Sequence, residues 1–353
     1  MKPGLFAQDH NNSSRDYTDP ANWGKNLFNS SFPASLIAYM SSKGIKPVYI
    51  KTNKQNEIVH DHIPATDVYR IDPLSENAFY MYESSFTTFD KFYTGGKRET
   101  IDLVMVDSST NNPLIGMEIK LTTIPDNTTK KKTEDKYGCE IVVRPPTIQF
   151  IACTICNSFD SPRGKTQLKK MLGNIHINNW EETHEVLPRY NEIRDAIMRV
   201  SSYLYNKQTP LVVNAIWKTI EGKPQLAEEC LDVFVWSNLA VIQLFNKGDN
   251  TSRDISRNMR AIIWLYKMLW EFCVYNQFDY VRIAKLYTYT YGNDKAFSIS
   301  GNQTNKFMLC DELLHPRISK YEIKNIILGG GQNLLSPERR FDAVLVNSPD
   351  LFD

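Results

Sequence analysis

Two periodicities divide this chain. From Asp102 to Asp107 apolar and polar positions alternate with period two: Asp102, Val104 and Val106 fall on one face, Leu103 and Met105 on the other. The cluster Ser-Ser-Thr-Asn-Asn-Pro at 108–113 is a turn signal. A second strand is predicted over 116–122, with Glu118 and Lys120 on one face and Met117, Ile119 and Leu121 on the other. Strands are also predicted over 47–52, 211–216 and 342–346, and the β-branched run "EIVVRPPTIQFIACTI" over 140–155 adds a further apolar segment. Elsewhere the period lengthens to that of a helix. Tyr190, Ile193, Ile197, Val200 and Leu204 form one stripe; Ile255, Met259, Ile262, Tyr266, Leu269 and Cys273 form another. Shorter helices are predicted over 28–40 and over 78–92, the latter carrying Glu83 and ending at Gly95-Gly96.

The order of these elements is mixed α/β rather than a regular βαβ repeat, so the expectation is a mixed central sheet flanked by helices. The composition supports a large core: 353 residues, 42% hydrophobic and 12% aromatic. No linker clearly divides the chain, and the first 22 residues are polar and read as loose.

Charge and cysteines narrow the chemistry. A net charge of +1 excludes a purely electrostatic nucleic-acid binder, but not an enzyme that neutralises a few phosphates in a cleft. The N-terminal segment lacks the apolar stretch of a secretory signal. The most apolar run, 231–245, is too short to span a bilayer and contains Asp232, so it reads as core. Six cysteines are too few for a disulfide scaffold, and the single Cys153/Cys156 pair has no second pair beside it; both read as structural thiols. The expectation is a reduced, cytoplasmic protein without a membrane partner. His60 and His62 lack an evident third ligand, and Gly329–Gly331 lacks the Gly-Lys-Ser/Thr ending of a phosphate loop.

Asp102, Glu118 and Lys120 stand out because unpaired charges within a sheet are costly. If the two strands pair so that Asp102 lies alongside Glu118, two carboxylates and an ammonium converge. Such a set suits phosphodiester hydrolysis. Asp102 and Glu118 can hold Mg2+, which prefers carboxylate oxygens and retains waters. Lys120 can orient the attacking water and stabilise charge developing on the phosphate. Two other readings stay open on spacing alone. A surface hairpin would tolerate all three charges, and a two-carboxylate glycosidase would use the acids but leave Lys120 idle.

The same stretch resembles the PD-(D/E)XK nuclease motif, with Asp102 as first acid and Glu118-Ile119-Lys120 as the E-x-K. The surrounding segments "GGKRETIDLV", "EIKLTTIPD", "EIVVRPPTI", "WGKNLFNSSFPASL" and "LLSPERRFDAVLV" resemble type II restriction endonucleases of the HindVP/HgiDI kind, and they span most of the chain. Ile101 stands where the motif's name has proline, a variable position in these enzymes. The resemblance implies a restriction-endonuclease-like core and Mg2+-dependent cleavage of double-stranded DNA at a short palindrome of the GRCGYC type. It also implies a metal site of Asp102, Glu118 and the main-chain carbonyl of Ile119, with Glu83 as a further, helix-borne carboxylate. A cognate DNA methyltransferase is implied as functional partner. The two-fold symmetry of a palindrome points to a homodimer. The rival readings are a repair or recombination nuclease with the same core and a non-catalytic DNA-binding protein.

On this reading residues 1–353 form a single nuclease unit. Its catalytic core spans approximately 75–220, and 221–353 packs on it and contributes to DNA binding or dimerisation. If the segment carrying Arg144 and Gln149 pairs beside the catalytic strands, either residue is a candidate phosphate contact; the polar face of a strand is their plainer reading. The lysines at 130–132, the Arg253/Arg257/Arg260 helix face and the Arg339-Arg340 pair are candidates too; a solvated loop, an ordinary charged face and an internal salt-bridge cluster are their plainer readings. Glu99 and Asp107 read as structural.

Overall fold

The computed structural model describes residues 32–95, 99–121, 141–219, 226–246, 254–287, 297–299 and 317–322. The chain opens with helix α1 (Phe32–Ser42), strands β1 (Val48–Thr52) and β2 (Ile58–His62), and the short helix α2 (Ala65–Tyr69). Strand β3 (Ala78–Ser84) leads through a 3-10 helix (Thr87–Phe92) into β4 (Tyr93–Thr94). The hairpin of β5 (Ile101–Asp107) and β6 (Asn112–Leu121) comes next, then β7 (Ile141–Val143). Four helices follow: α3 (Pro145–Ser158), α4 (Pro162–Leu172), α5 (Thr183–Val186) and α6 (Tyr190–Tyr203). Strands β8 (Pro210–Thr219) and β9 (Leu226–Ser237) lead to α7 (Asn238–Asn246) and α8 (Arg257–Tyr275). The described elements end with β10 (Phe278–Asp279), α9 (Tyr280–Ala284), β11 (Phe297–Ile299) and β12 (Ile318–Ser319).

The central sheet runs β2-β1-β9-β8-β6-β5-β3, with β12 added on β9. It is mixed: β6 with β8 and β1 with β9 are parallel, and the other pairs are antiparallel. The parallel pair β6–β8 requires a crossover, which the segment containing α3 to α6 supplies. The two sheet faces bury separate cores. Leu103, Met105, Ile115, Met117, Ile119 and Val213 pack towards α1 and α2. Val104, Val106, Val212, Phe234 and Trp236 pack with α3, α6, α7 and α8 on the opposite side. The alternation expected of Asp102–Asp107 is therefore what sorts β5 between two cores.

Helix α8 is the spine of the second core. Met259 to Leu269 are all buried, Arg260 and Lys267 among them. The Ser256 hydroxyl caps its start by accepting the Met259 N–H at 3.3 Å, and Asn276 closes it in the left-handed conformation at φ 64°. The helices expected from the stripes at Tyr190–Leu204 and Ile255–Cys273 are present as α6 and α8. The apolar run 231–245 divides into the end of β9 and most of α7, and it is core. Cys153 and Cys156 lie buried on α3, where burial pushes both thiols well above the usual range. No helix among the described residues is long and apolar enough to cross a membrane.

Two expected elements are corrected. Residues 78–92 are not one helix but strand β3 followed by a 3-10 turn. Ala78 and Tyr80 are buried, while Phe79 and Met81 are 54% and 37% exposed. The period is two, but apolar residues on both faces hide it. The run 140–155 is also not a strand beside the catalytic pair. Only Ile141–Val143 is extended, pairing with β11, and Pro145 onwards is helix. Pro145-Pro146 presets the first-turn φ, and burial on all sides outweighs the β-branched composition. The predicted strand at 342–346 lies outside the described residues, as do 130–132, 329–331 and 339–340.

Candidate active site

The site is built on the β5–β6 hairpin. Leu103 pairs with Met117, so one further step along the register brings Asp102 level with Glu118. On the other side Ser84 pairs with Ile101 and Tyr82 with Leu103, which sets the backbone of Glu83 level with Asp102. Three acidic positions thus form one row across β3, β5 and β6. Glu83 belongs to a strand at the sheet's end, not to the helix expected for it.

Gly116 lies under tightly packed side chains. A Cβ there would lie 3.2 Å from Cγ2 of Ile101 and 3.4 Å from the Phe86 ring. This side of β6 is the face that also carries Glu118 and Lys120, while Met117 and Ile119 are sealed in the opposite core. Asp102 reaches across the hairpin, and its Oδ2 accepts the Ile119 N–H at 2.7 Å. The first acid is thereby tied to the middle residue of the E-x-K. Glu118 and Lys120 form an ion pair through Oε1, with both side chains 13% exposed. The same Oε1 accepts a hydrogen bond from the Thr147 hydroxyl at 3.3 Å. Behind β6, Lys120 is level with Asn214 of β8, whose amide donates to the Lys120 carbonyl at 2.8 Å.

These contacts join two carboxylates and one ammonium at the partly shielded edge of a core. The donor set is all oxygen and suits a hard divalent cation, with both contacts on Glu118 falling on Oε1. Among the described residues no group of three His, Cys, Asp or Glu side chains forms a metal cluster.

The chain that carries this acid–acid–lysine row on a mixed sheet has known relatives. It matches the family model of the HindVP restriction endonuclease over residues 23–352. The chain belongs to this family. It is 38% identical to the type II restriction enzyme HgiDI of Herpetosiphon aurantiacus, over 100% of this chain and 98% of that one. It is 39% identical to the probable type II restriction enzyme HindVP of Haemophilus influenzae (strain ATCC 51907 / DSM 11121 / KW20 / Rd), over 100% and 96%. No solved structure matches it significantly.

Other candidates in this HindVP-family restriction endonuclease separate by position. Arg144 is exposed and is the N-cap residue of α3, one turn before Thr147. Gln149 follows Thr147 by two residues, roughly 200° around the helix. It is 1% exposed, with both amide atoms unpaired, and belongs to the helix interior rather than to the row. Arg260 is buried; it donates to the Tyr287 carbonyl at 3.1 Å and stacks on Trp264, so it is not a phosphate contact. Arg257 is exposed, and Arg253 lies outside the described residues. Asp107 accepts the Ser109 N–H at 2.9 Å and closes the hairpin turn, and Glu99 bonds Tyr280; both are structural, as expected. Thr147 and Asn214 were not anticipated. Asn214 did leave a signal, a lone amide in the apolar strand "LVVNAIW".

Proposed function

We propose that this restriction endonuclease hydrolyses phosphodiester bonds of double-stranded DNA with Mg2+, using Asp102, Glu118 and Lys120. The observation that carries the proposal is the hydrogen bond from the Ile119 N–H to Asp102, which locks the first acid onto the E-x-K. Asp102, Glu118 and the Ile119 carbonyl would hold the ion, with Glu83 as a further carboxylate from the neighbouring strand. Bound there, Mg2+ would acidify water and offset charge on the attacked phosphate. Lys120 orients the water and stabilises the phosphate's developing charge, a role that grows towards the transition state. The ion pair with Glu118 keeps the Lys120 ammonium on the face where the phosphate must lie.

The substrate in this reading is a short palindrome of the GRCGYC type, met by a homodimer in the cytoplasm, with a cognate methyltransferase protecting the host's own sites. Plasmid DNA incubated with the protein, with Mg2+ and with EDTA, tests the reading. Discrete fragments in Mg2+ alone support it, and sequencing their ends gives the site. A smear or structure-dependent nicks would move the chain to the repair nucleases. Binding without cleavage would leave a DNA-binding protein.

A further inference from the structure

We propose that Thr147 is a positioning residue for the cleavage reaction: its hydroxyl fixes the rotation of the Glu118 carboxylate so that Oε2 is presented to the cation. This rests on the reading of Glu118 as a metal ligand. Helical threonines usually return their hydroxyl to a carbonyl of the preceding turn. Thr154 does so towards the Ile151 carbonyl at 2.7 Å, and Thr166 towards Pro162 at 2.9 Å. Thr147 departs from this habit. It lies in the first turn of α3, where the Arg144 carbonyl is already taken by the Thr147 N–H at 3.1 Å, and its hydroxyl crosses to Glu118.

The support beneath that hydroxyl is stiff. Pro145 and Pro146 preset the backbone immediately before it, and the residue is 1% exposed. A β-branched side chain has few χ1 choices. The contact therefore constrains the carboxylate rather than following it. Lys120 shares Oε1 but sits on the same strand as Glu118 with a long flexible stem, so it supplies charge with less directional control. Groups that orient a metal ligand commonly change metal affinity or activity by about 10- to 100-fold when removed.

The test compares Thr147→Val, which keeps the shape and loses the hydroxyl, with Thr147→Ser, which keeps the hydroxyl. Two readouts are followed against Mg2+ concentration: cleavage of supercoiled plasmid, and the rise in melting temperature of the DNA-free protein. The expectation is that Thr147→Val needs about 10- to 100-fold more Mg2+ for half its effect in both readouts, with Thr147→Ser near wild type. Unchanged Mg2+ midpoints in Thr147→Val, even with a lower melting temperature or turnover, would overturn the role. So would a shift in Thr147→Ser as large as in Thr147→Val, since the methyl group would then be responsible. Glu118→Ala is the control for the underlying reading. If it cleaves normally the metal site itself is wrong; if it is inactive while Thr147→Val behaves as wild type, only the Thr147 assignment fails.

Discussion

At the scale of single residues, the duties proposed for the three charged groups of the hairpin are separable, and each predicts a different failure. Asp102→Ala or Glu118→Ala removes a carboxylate from the proposed metal site and some repulsion of phosphate. Cleavage should be lost while specific binding, assayed by gel shift in Ca2+, persists; a fully active variant of either kind would remove that residue from the site. Lys120→Ala should leave metal binding in place and lower turnover by about 10²–10³-fold, the scale for losing one donor to developing charge. Normal turnover with weakened DNA binding would make Lys120 a phosphate contact only. These residues were legible in the sequence because each puts a charge into an apolar alternation. Thr147 and Asn214 were not. A threonine after two prolines, or an amide in a buried strand, has no chemical meaning until the partner across the fold is known.

At the scale of elements, what was readable is what a single period declares. The β5–β6 hairpin has clean alternation and an obvious turn, and α6 and α8 have strong stripes. β3 failed because Phe79 and Met81 make its exposed face apolar too, and α3 failed because β-branched residues fill a helix buried on all sides. Long-range pairing is less readable still. β12 pairs with β9 through Ile318 and Ser319, and Arg317 just before it bonds both oxygens of the buried Asp232 carboxylate and also the Lys46 carbonyl at 2.8 Å. Burial raises the Asp232 pKa, and attraction to Arg317 opposes the rise. Arg317→Ala should therefore cost about 3–5 kcal/mol at neutral pH, because it leaves a buried charge unpaired. The sign of its pH dependence follows. Folded Asp232 holds its proton to a higher pH than unfolded Asp232, so its ionisation lowers stability as pH rises from the ordinary carboxylate range through the raised value. Without Arg317 that window extends upward, and the penalty should shrink as pH falls through it. Urea unfolding across a pH series measures this; a pH-independent penalty would mean that Arg317 acts through packing alone.

At the scale of the whole molecule, the question is how a chain with one proposed active site would cut two strands. The described chain has a single Asp102/Glu118/Lys120 row, and a palindromic duplex presents two equivalent scissile bonds related by a two-fold axis. A symmetric dimer matches that axis and brings one row to each strand. The broad apolar faces of α6 and α8 are not available for the contact, because they are buried against each other and against α3, α4 and α7. A dimer interface would therefore draw on other surface, and with a net charge of +1 like-charge repulsion between two copies would be small. The expected result in sedimentation velocity with a cognate duplex is a complex of two chains per duplex. Mixing wild-type with Glu118→Ala chains should then yield nicked circles from the mixed dimers, since only one strand meets an intact row. A single chain bound per duplex, cutting both strands without a second copy, would refute the dimer and leave the assignment of the active site standing.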